Sequence, residues 1–90
     1  MAWQIEFSPN ADKALSKLGT DTQKRIVRFL RERVSNMDDP RSVGKALVGP
    51  SLSGLWRYRV GDYRILCRIE DEKICIVVIE IGNRREIYRK

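Results

Sequence analysis

The stretch Leu55–Ile69, LWRYRVGDYRILCRI, decides the fold. Apolar and polar residues alternate on both sides of Gly61-Asp62, the period of two half-buried strands joined by a two-residue turn. That turn pairs Val60 with Tyr63, Tyr58 with Ile65 and Trp56 with Cys67. Arg59 then faces Arg64, and Arg57 faces Leu66 with Arg64 and Arg68 diagonal to it. Successive side chains of a strand point to opposite faces. Trp56, Tyr58, Val60, Tyr63, Ile65, Cys67 and Ile69 therefore share a core face, and Arg57, Arg59, Arg64, Leu66 and Arg68 share an open one. Asp62, in the turn, is the only carboxylate of the stretch. Like charges opposed across strands cost roughly a few tenths of a kcal/mol. A bound polyanion would offset that repulsion. The competing reading is a solvated basic face with carboxylate partners such as Glu6 or Glu80.

Outward from the hairpin, the C-terminal side reads as a third strand over residues 73–81, after a turn at Asp71-Glu72. Its ICIVVIEI core is apolar on both faces apart from Glu80, the mark of a central strand. A two-residue turn sets Cys67 opposite Ile76 and on a different face from Cys75, whereas a three-residue turn sets the cysteines side by side; the former is expected, without a disulfide. Gly82 then lets the chain turn, so that Arg84 returns to the open face. The tail GNRREIYRK adds Arg84, Arg85, Arg89, Lys90 and Tyr88. Arginine forks grip phosphate and tyrosine stacks on bases, so the pattern points to RNA.

On the N-terminal side, WQIEF alternates as a strand. Ser8 caps a first helix with Pro9 at its first position, and Gly19 closes it in a left-handed cap. Thr20 and Gln23 form a capping box opening a second helix, whose stripe Ile26, Val27, Leu30 and Val34 ends near Met37, before Asp38-Asp39-Pro40. Its basic residues, Lys24, Arg25, Arg28, Arg31 and Arg33, read first as an ordinary exposed face. Residues 38–54 are loop by composition, with Lys45-Ala46-Leu47 as an anchor or short strand inside them. The order is β-α-α-β-β-β. The fold class is α+β, with a helical hairpin packed on one face of a mostly antiparallel sheet. Tyr58, Tyr63, Ile65, Cys67 and Trp56 should meet Leu15, Ile26, Leu30 and Val34 in the core.

Ninety residues make a single domain, 1–90, and an apolar fraction of 42% supports one core. A net charge of +6 predicts a chain drawn to polyanions. No apolar run reaches 18 residues and the N-terminus lacks secretory features, so a soluble cytoplasmic protein is expected, with no membrane partner. There is no histidine, which removes Ser-His-Asp and Cys-His catalysis and the commonest metal ligand. Two cysteines without histidine make no zinc site. No metal and no other cofactor is expected.

The hairpin LWRYRVGDYRILCRI, the segment KALVG and the ending IGNRREIY together resemble the RelE branch of the RelE/ParE toxin superfamily, over nearly the whole chain. The resemblance implies the same α+β fold. It implies a toxin of a toxin–antitoxin pair that cleaves mRNA in the ribosomal A site without a metal: the mRNA 2′-OH attacks the adjacent phosphate and a 5′-OH leaves. Position by position, it makes Arg64 a phosphate-binding residue, sets Arg84 near the leaving oxygen and has Tyr88 orient or stack on the base. Arg57 and Arg59 stand where other members often carry lysines. With Arg64, Arg84 and Tyr88 they form the expected catalytic set, while Arg68, Arg85 and Lys45 are expected RNA-binding residues. Arginine stays protonated and serves poorly as a base. It still stabilises a phosphorane. Where some members carry a histidine before the arginine pair, this chain has Asn83, so proton transfer falls to solvent, ribosomal RNA or Glu80. The implied partners are the ribosome, mRNA and an acidic, partly disordered antitoxin. Two other functions compete: a ParE-like inhibitor of DNA gyrase, and a non-catalytic nucleic-acid-binding module.

Overall fold

The computed structural model describes residues 2–47, 49 and 54–83. β1 (Gln4–Phe7) leads into α1 (Pro9–Ser16) and α2 (Thr20–Arg28). A π-helical segment, Phe29–Val34, continues α2, and a 3-10 turn at Pro40–Ser42 precedes β2 (Lys45–Ala46). β3 (Trp56–Val60), β4 (Tyr63–Glu70) and β5 (Cys75–Asn83) complete one five-stranded sheet in the order β1-β5-β4-β3-β2. β1 runs parallel to β5; every other pairing is antiparallel. The two helices lie on one face, so the α+β class expected from the sequence is the one observed, with Lys45–Ala46 as a short edge strand.

The β3–β4 register is the expected one, including Arg59 opposite Arg64 and Arg57 opposite Leu66. The core is also as expected. Ile26, Leu30 and Val34 pack with Tyr58, Ile65 and Cys67, and Leu15, Trp56 and Tyr63 join them partly buried. Each fully buried aliphatic side chain contributes about 1.5–3 kcal/mol.

Local signals were read less evenly. Ser8 caps α1 by accepting from the Ala11 N–H at 3.0 Å. Its hydroxyl also donates to the Ile79 carbonyl at 2.9 Å, tying the cap to β5. The Thr20–Gln23 capping box does not form: Gly19 is the N-cap, with an extended backbone, and the Gln23 amide donates to the Leu18 carbonyl at 2.7 Å. Gly19 is therefore not a left-handed cap, since the chain turns out of α1 and into α2 within three residues. The π segment closes with Ser35 N–H donating to Leu30 O at 2.9 Å. Ser35 is then held to β1's approach, its hydroxyl donating to Trp3 O at 2.5 Å.

The second turn departs most from expectation. Asp71–Lys73 form a 3-10 turn and Ile74 takes a left-handed conformation, giving a four-residue connection in place of Asp71-Glu72 alone. β4 and β5 then pair Glu70 with Cys75 and Ile69 with Ile76, and a bulge follows: Leu66 pairs with Glu80, Cys67 with Val78. Cys67 is thus opposite Val78 rather than Ile76. The cysteines still point to different faces, and both are free thiols. The bulge has a physical reason. Ile76 and Val78 face the core, and strict alternation would send Glu80 in after them. The extra residue, Ile79, turns Glu80 to the open face and Ile81 inward, where it is 5% exposed.

Candidate functional site

The ladder sorts the open face into rows. Lys45, Arg57, Leu66 and Glu80 stand in one; Arg59, Arg64 and Gly82 in the next; Arg68, Val77 and Glu6 in a third. The structure therefore brings Arg57, Arg59 and Arg64 together on two neighbouring strands, with Lys45 one strand beyond. Gly82 is not a turn. It remains inside β5 as Arg64's ladder partner.

The arginines are not equivalent. Arg59 and Arg68 are exposed, Arg57 is half-buried, and Arg64 is only 8% exposed. Leu66, at 4%, makes an apolar floor between the rows. Among the described residues, the bond recorded for the Arg64 guanidinium is a long one, from Nη1 to its neighbour's carbonyl, Tyr63 O, at 3.4 Å. Arg68 is held in an ion pair. Its Nε donates to Glu70 at 3.0 Å, and Lys73 approaches the same carboxylate at 3.7 Å. These cations, Arg68 first, hold the Glu70 carboxyl below its usual range.

The loop leading to Lys45 is fastened at three points. The buried Tyr58 hydroxyl donates to Pro40 O at 2.6 Å, and Trp56 Nε1 donates to Val43 O at 2.8 Å. Gly44 adopts φ +82°, and a Cβ there would lie 2.4 Å from Arg57 O, so only glycine lets the backbone come this close. Arg41 and Asp71 join by a two-pronged ion pair, 2.9 Å on each side, which holds the Asp71 carboxyl low and the Arg41 guanidinium high. Nothing in the sequence signals that pair, because its partners are 30 residues apart in two separate turns.

The basic residues of α2 and the π segment are largely occupied. Arg28 pairs with Glu32 at 3.4 Å, Arg31 lies over Phe7 at 6.0 Å and Arg33 over Phe29 at 5.9 Å. At the far end of β5, Lys13 of α1 and Lys17 at its C-cap line a cleft of about 430 Å³ with Tyr63 and Asn83. Sequence reasoning missed that cleft, since two lysines on a short helix carry no motif. Arg84, Arg85 and Tyr88 lie outside the described residues. No group of three His, Cys, Asp or Glu side chains among the described residues is placed to hold a metal. No described helix is long and apolar enough to cross a membrane.

Chemically, the face offers permanent cations at fixed spacing, an apolar floor and a carboxylate, Glu80, in the Arg57 row, with Glu6 and Glu70 nearer Arg68. That suits a phosphodiester.

Residues 5–88 match the family described as "ParE toxin of type II toxin-antitoxin system, parDE". The chain is 33% identical to Toxin RelG of Mycobacterium tuberculosis over the full length of both chains. It is 29% identical to the mRNA interferase toxin RelE of Escherichia coli K12, covering 98% of this chain and 92% of that one. Among solved structures, the toxin–antitoxin complex RelBE2 of Mycobacterium tuberculosis contains a chain that superposes with a TM-score of 0.84 at 30% identity, covering 96% of this chain and 95% of that one.

Proposed function

We propose a chemistry for this chain from one premise: it belongs to the RelE branch of the RelE/ParE toxin superfamily and is a toxin of the type II toxin–antitoxin kind. The chemistry is ribosome-dependent endonucleolytic cleavage of mRNA in the A site, in the cytoplasm and without a metal ion. The observation that supports it best is the convergence of Arg57, Arg59 and Arg64 on one face.

In this reading, the mRNA 2′-OH loses its proton and attacks the adjacent phosphorus. The P–O5′ bond breaks, leaving a 2′,3′-cyclic phosphate, and the departing oxygen gains a proton to become a 5′-OH. Arg64 holds the phosphate from the middle of the sheet. Arg57 and Arg59 neutralise the charge that builds on the phosphorane. Arg84 serves the leaving oxygen and Tyr88 fixes the base. None of the arginines takes the 2′ proton, because a guanidinium stays charged. Solvent, ribosomal RNA or Glu80 takes it. Lys45 and Arg85 bind the RNA backbone. Arg68 does so only after leaving Glu70. The partner that silences the toxin is a cognate antitoxin, the pairing that a relative solved as a toxin–antitoxin complex supports, and the +6 charge favours an acidic, partly disordered one.

A second reading, inhibition of DNA gyrase, has one observation in its favour: the matched family is described by the ParE toxins. One experiment separates the two. The protein is added to a translation extract and mRNA ends are mapped, with naked mRNA and a gyrase supercoiling assay in parallel. Cuts at A-site codons only on ribosomes are the expected result. Gyrase inhibition without cuts would transfer the protein to the second reading, and neither effect would leave a nucleic-acid-binding module.

A further inference from the structure

β3 is covered by β2 only at Trp56 and Arg57, where Ala46 and Lys45 pair with them. Beyond Arg57, no described strand pairs with Tyr58–Val60 on that side. A cleft of about 350 Å³ opens at this edge, lined by Phe29, Arg33, Lys45, Arg57, Tyr58 and Arg59 among others. That volume is at the small end of ligand sites, about 300–1,000 Å³. Among the described residues, four cations from three elements line it and no carboxylate does. The nearest acid of the helical wall, Glu32, is paired with Arg28. Phe29 stiffens the wall. It meets Tyr58 edge-on at 5.9 Å and carries the Arg33 guanidinium over its own ring at 5.9 Å. Arg33 therefore reaches the cleft from the helical layer, while Arg57 and Arg59 belong to both the cleft and the open face.

We propose that this cleft is a second phosphate subsite, one that carries the RNA strand from the arginine face around the β3 edge to Arg33 and Lys45. The inference rests on the RNA-cleaving reading above and extends it to a helical residue that reading does not use. Arg33 acts there as a binding residue for a backbone phosphate remote from the bond that breaks. A guanidinium already held near a ring loses less freedom on taking a phosphate, and Arg33 is exposed, within reach of one.

The test uses the full chain and a fluorescein-labelled single-stranded oligoribonucleotide, with anisotropy followed across salt concentrations. Arg33 is exposed, so Arg33→Ala should fold, which thermal melting verifies. Arg33→Ala should bind about three- to tenfold more weakly. Its slope of log affinity against log salt should shrink by about 0.7, the value for one single-strand phosphate contact. Arg33→Lys should recover the salt slope but only part of the affinity. Lys24→Ala, the same charge change on α2 outside the cleft, should match the unmodified protein. On ribosomes, Arg33→Ala should raise KM and keep kcat. Equal losses in Arg33→Ala and Lys24→Ala, no loss in either, or no salt-sensitive binding by the unmodified protein would overturn the subsite. So would a fall in kcat at constant KM, or weakened antitoxin binding with oligonucleotide binding intact, which would make the cleft a protein-docking site. If the unmodified protein fails to cut on ribosomes, the RNA-cleaving reading fails and the oligonucleotide arm still decides the subsite.

Discussion

Arg59 and Arg64 are ladder partners across β3 and β4, and the inner of the two is buried to 8% exposure. Two guanidinium groups at that spacing repel, and the sheet keeps them. Stability is therefore spent at this position on something other than folding. Arg59→Thr should relieve the repulsion and supply a better strand former, adding roughly 0.2–1 kcal/mol. For a domain this size that is a rise in Tm of about 1–8 °C. mRNA cleavage should fall in the same variant. Calorimetry beside a cleavage assay reads both, and a variant that loses stability and keeps activity would contradict the assignment.

Arg84 carries a sharper expectation. Charge that develops only in the transition state makes Arg84→Ala slower by about 10²-fold or more, while ribosome binding, spread over many phosphates, falls far less. Arg84→Lys should restore part of the rate, since it keeps the charge and loses the fork. Arg28→Ala, which removes only an exposed pair with Glu32, should remain toxic. Single-turnover cleavage with a ribosome co-sedimentation assay measures both quantities.

Tyr58→Phe tests the fastening of the Lys45 loop. The substitution deletes one hydroxyl and leaves the buried Pro40 carbonyl without its donor. The cost should be about 1–3 kcal/mol. Denaturant unfolding should show a lower midpoint with an unchanged slope.

Cys75 should be chemically quiet. Burial, then its hydrogen bond to Glu6, pushes its thiol up to about 11 from an ordinary 9.0. At pH 8 only ~0.1% would be thiolate. Iodoacetamide should label neither cysteine in the native protein at pH 8 and both after unfolding. A folded value above the unfolded one means that this group's contribution to stability is present below about pH 9 and fades as pH climbs toward 11.

Antitoxin binding should weaken with salt, because an acidic segment on a +6 chain gains much of its affinity from screened charge. Titration at low and high ionic strength checks this, and constant affinity would point to an apolar interface.

The hairpin was legible because two independent signals, period-2 alternation and the Gly61-Asp62 turn, agreed on one register. The core followed from it. The β4–β5 register was not legible, since ICIVVIEI is apolar at every position but one and any phase buries something. Only the need to keep Glu80 out of the core selects the bulge. For the same reason the sequence put Gly82 at a turn, where the structure keeps it in a strand beside Arg64. Arg64 and Leu66 were placed on the correct face, but their burial depends on what stands in the adjacent rows, which alternation cannot report. Arg68 was grouped with Arg57, Arg59 and Arg64 because Glu70, two residues away on its own strand, lies just beyond the hairpin pattern.

The parallel pairing of β1 with β5 sets a clock on the chain's own synthesis. Gln4–Phe7 leave the ribosome first, yet their ladder partners are Cys75–Val78. A nascent chain shorter than that can form helices and the β3–β4 hairpin but has nothing to hold its first strand. Contacts this distant in sequence form late and slowly. β5 also covers the inner edge of β4, so Arg64 and Leu66 gain their ladder partners Gly82 and Glu80 only after β5 has emerged. The interval before β5 emerges is time in which a partner already present can reach the chain before its sheet is complete.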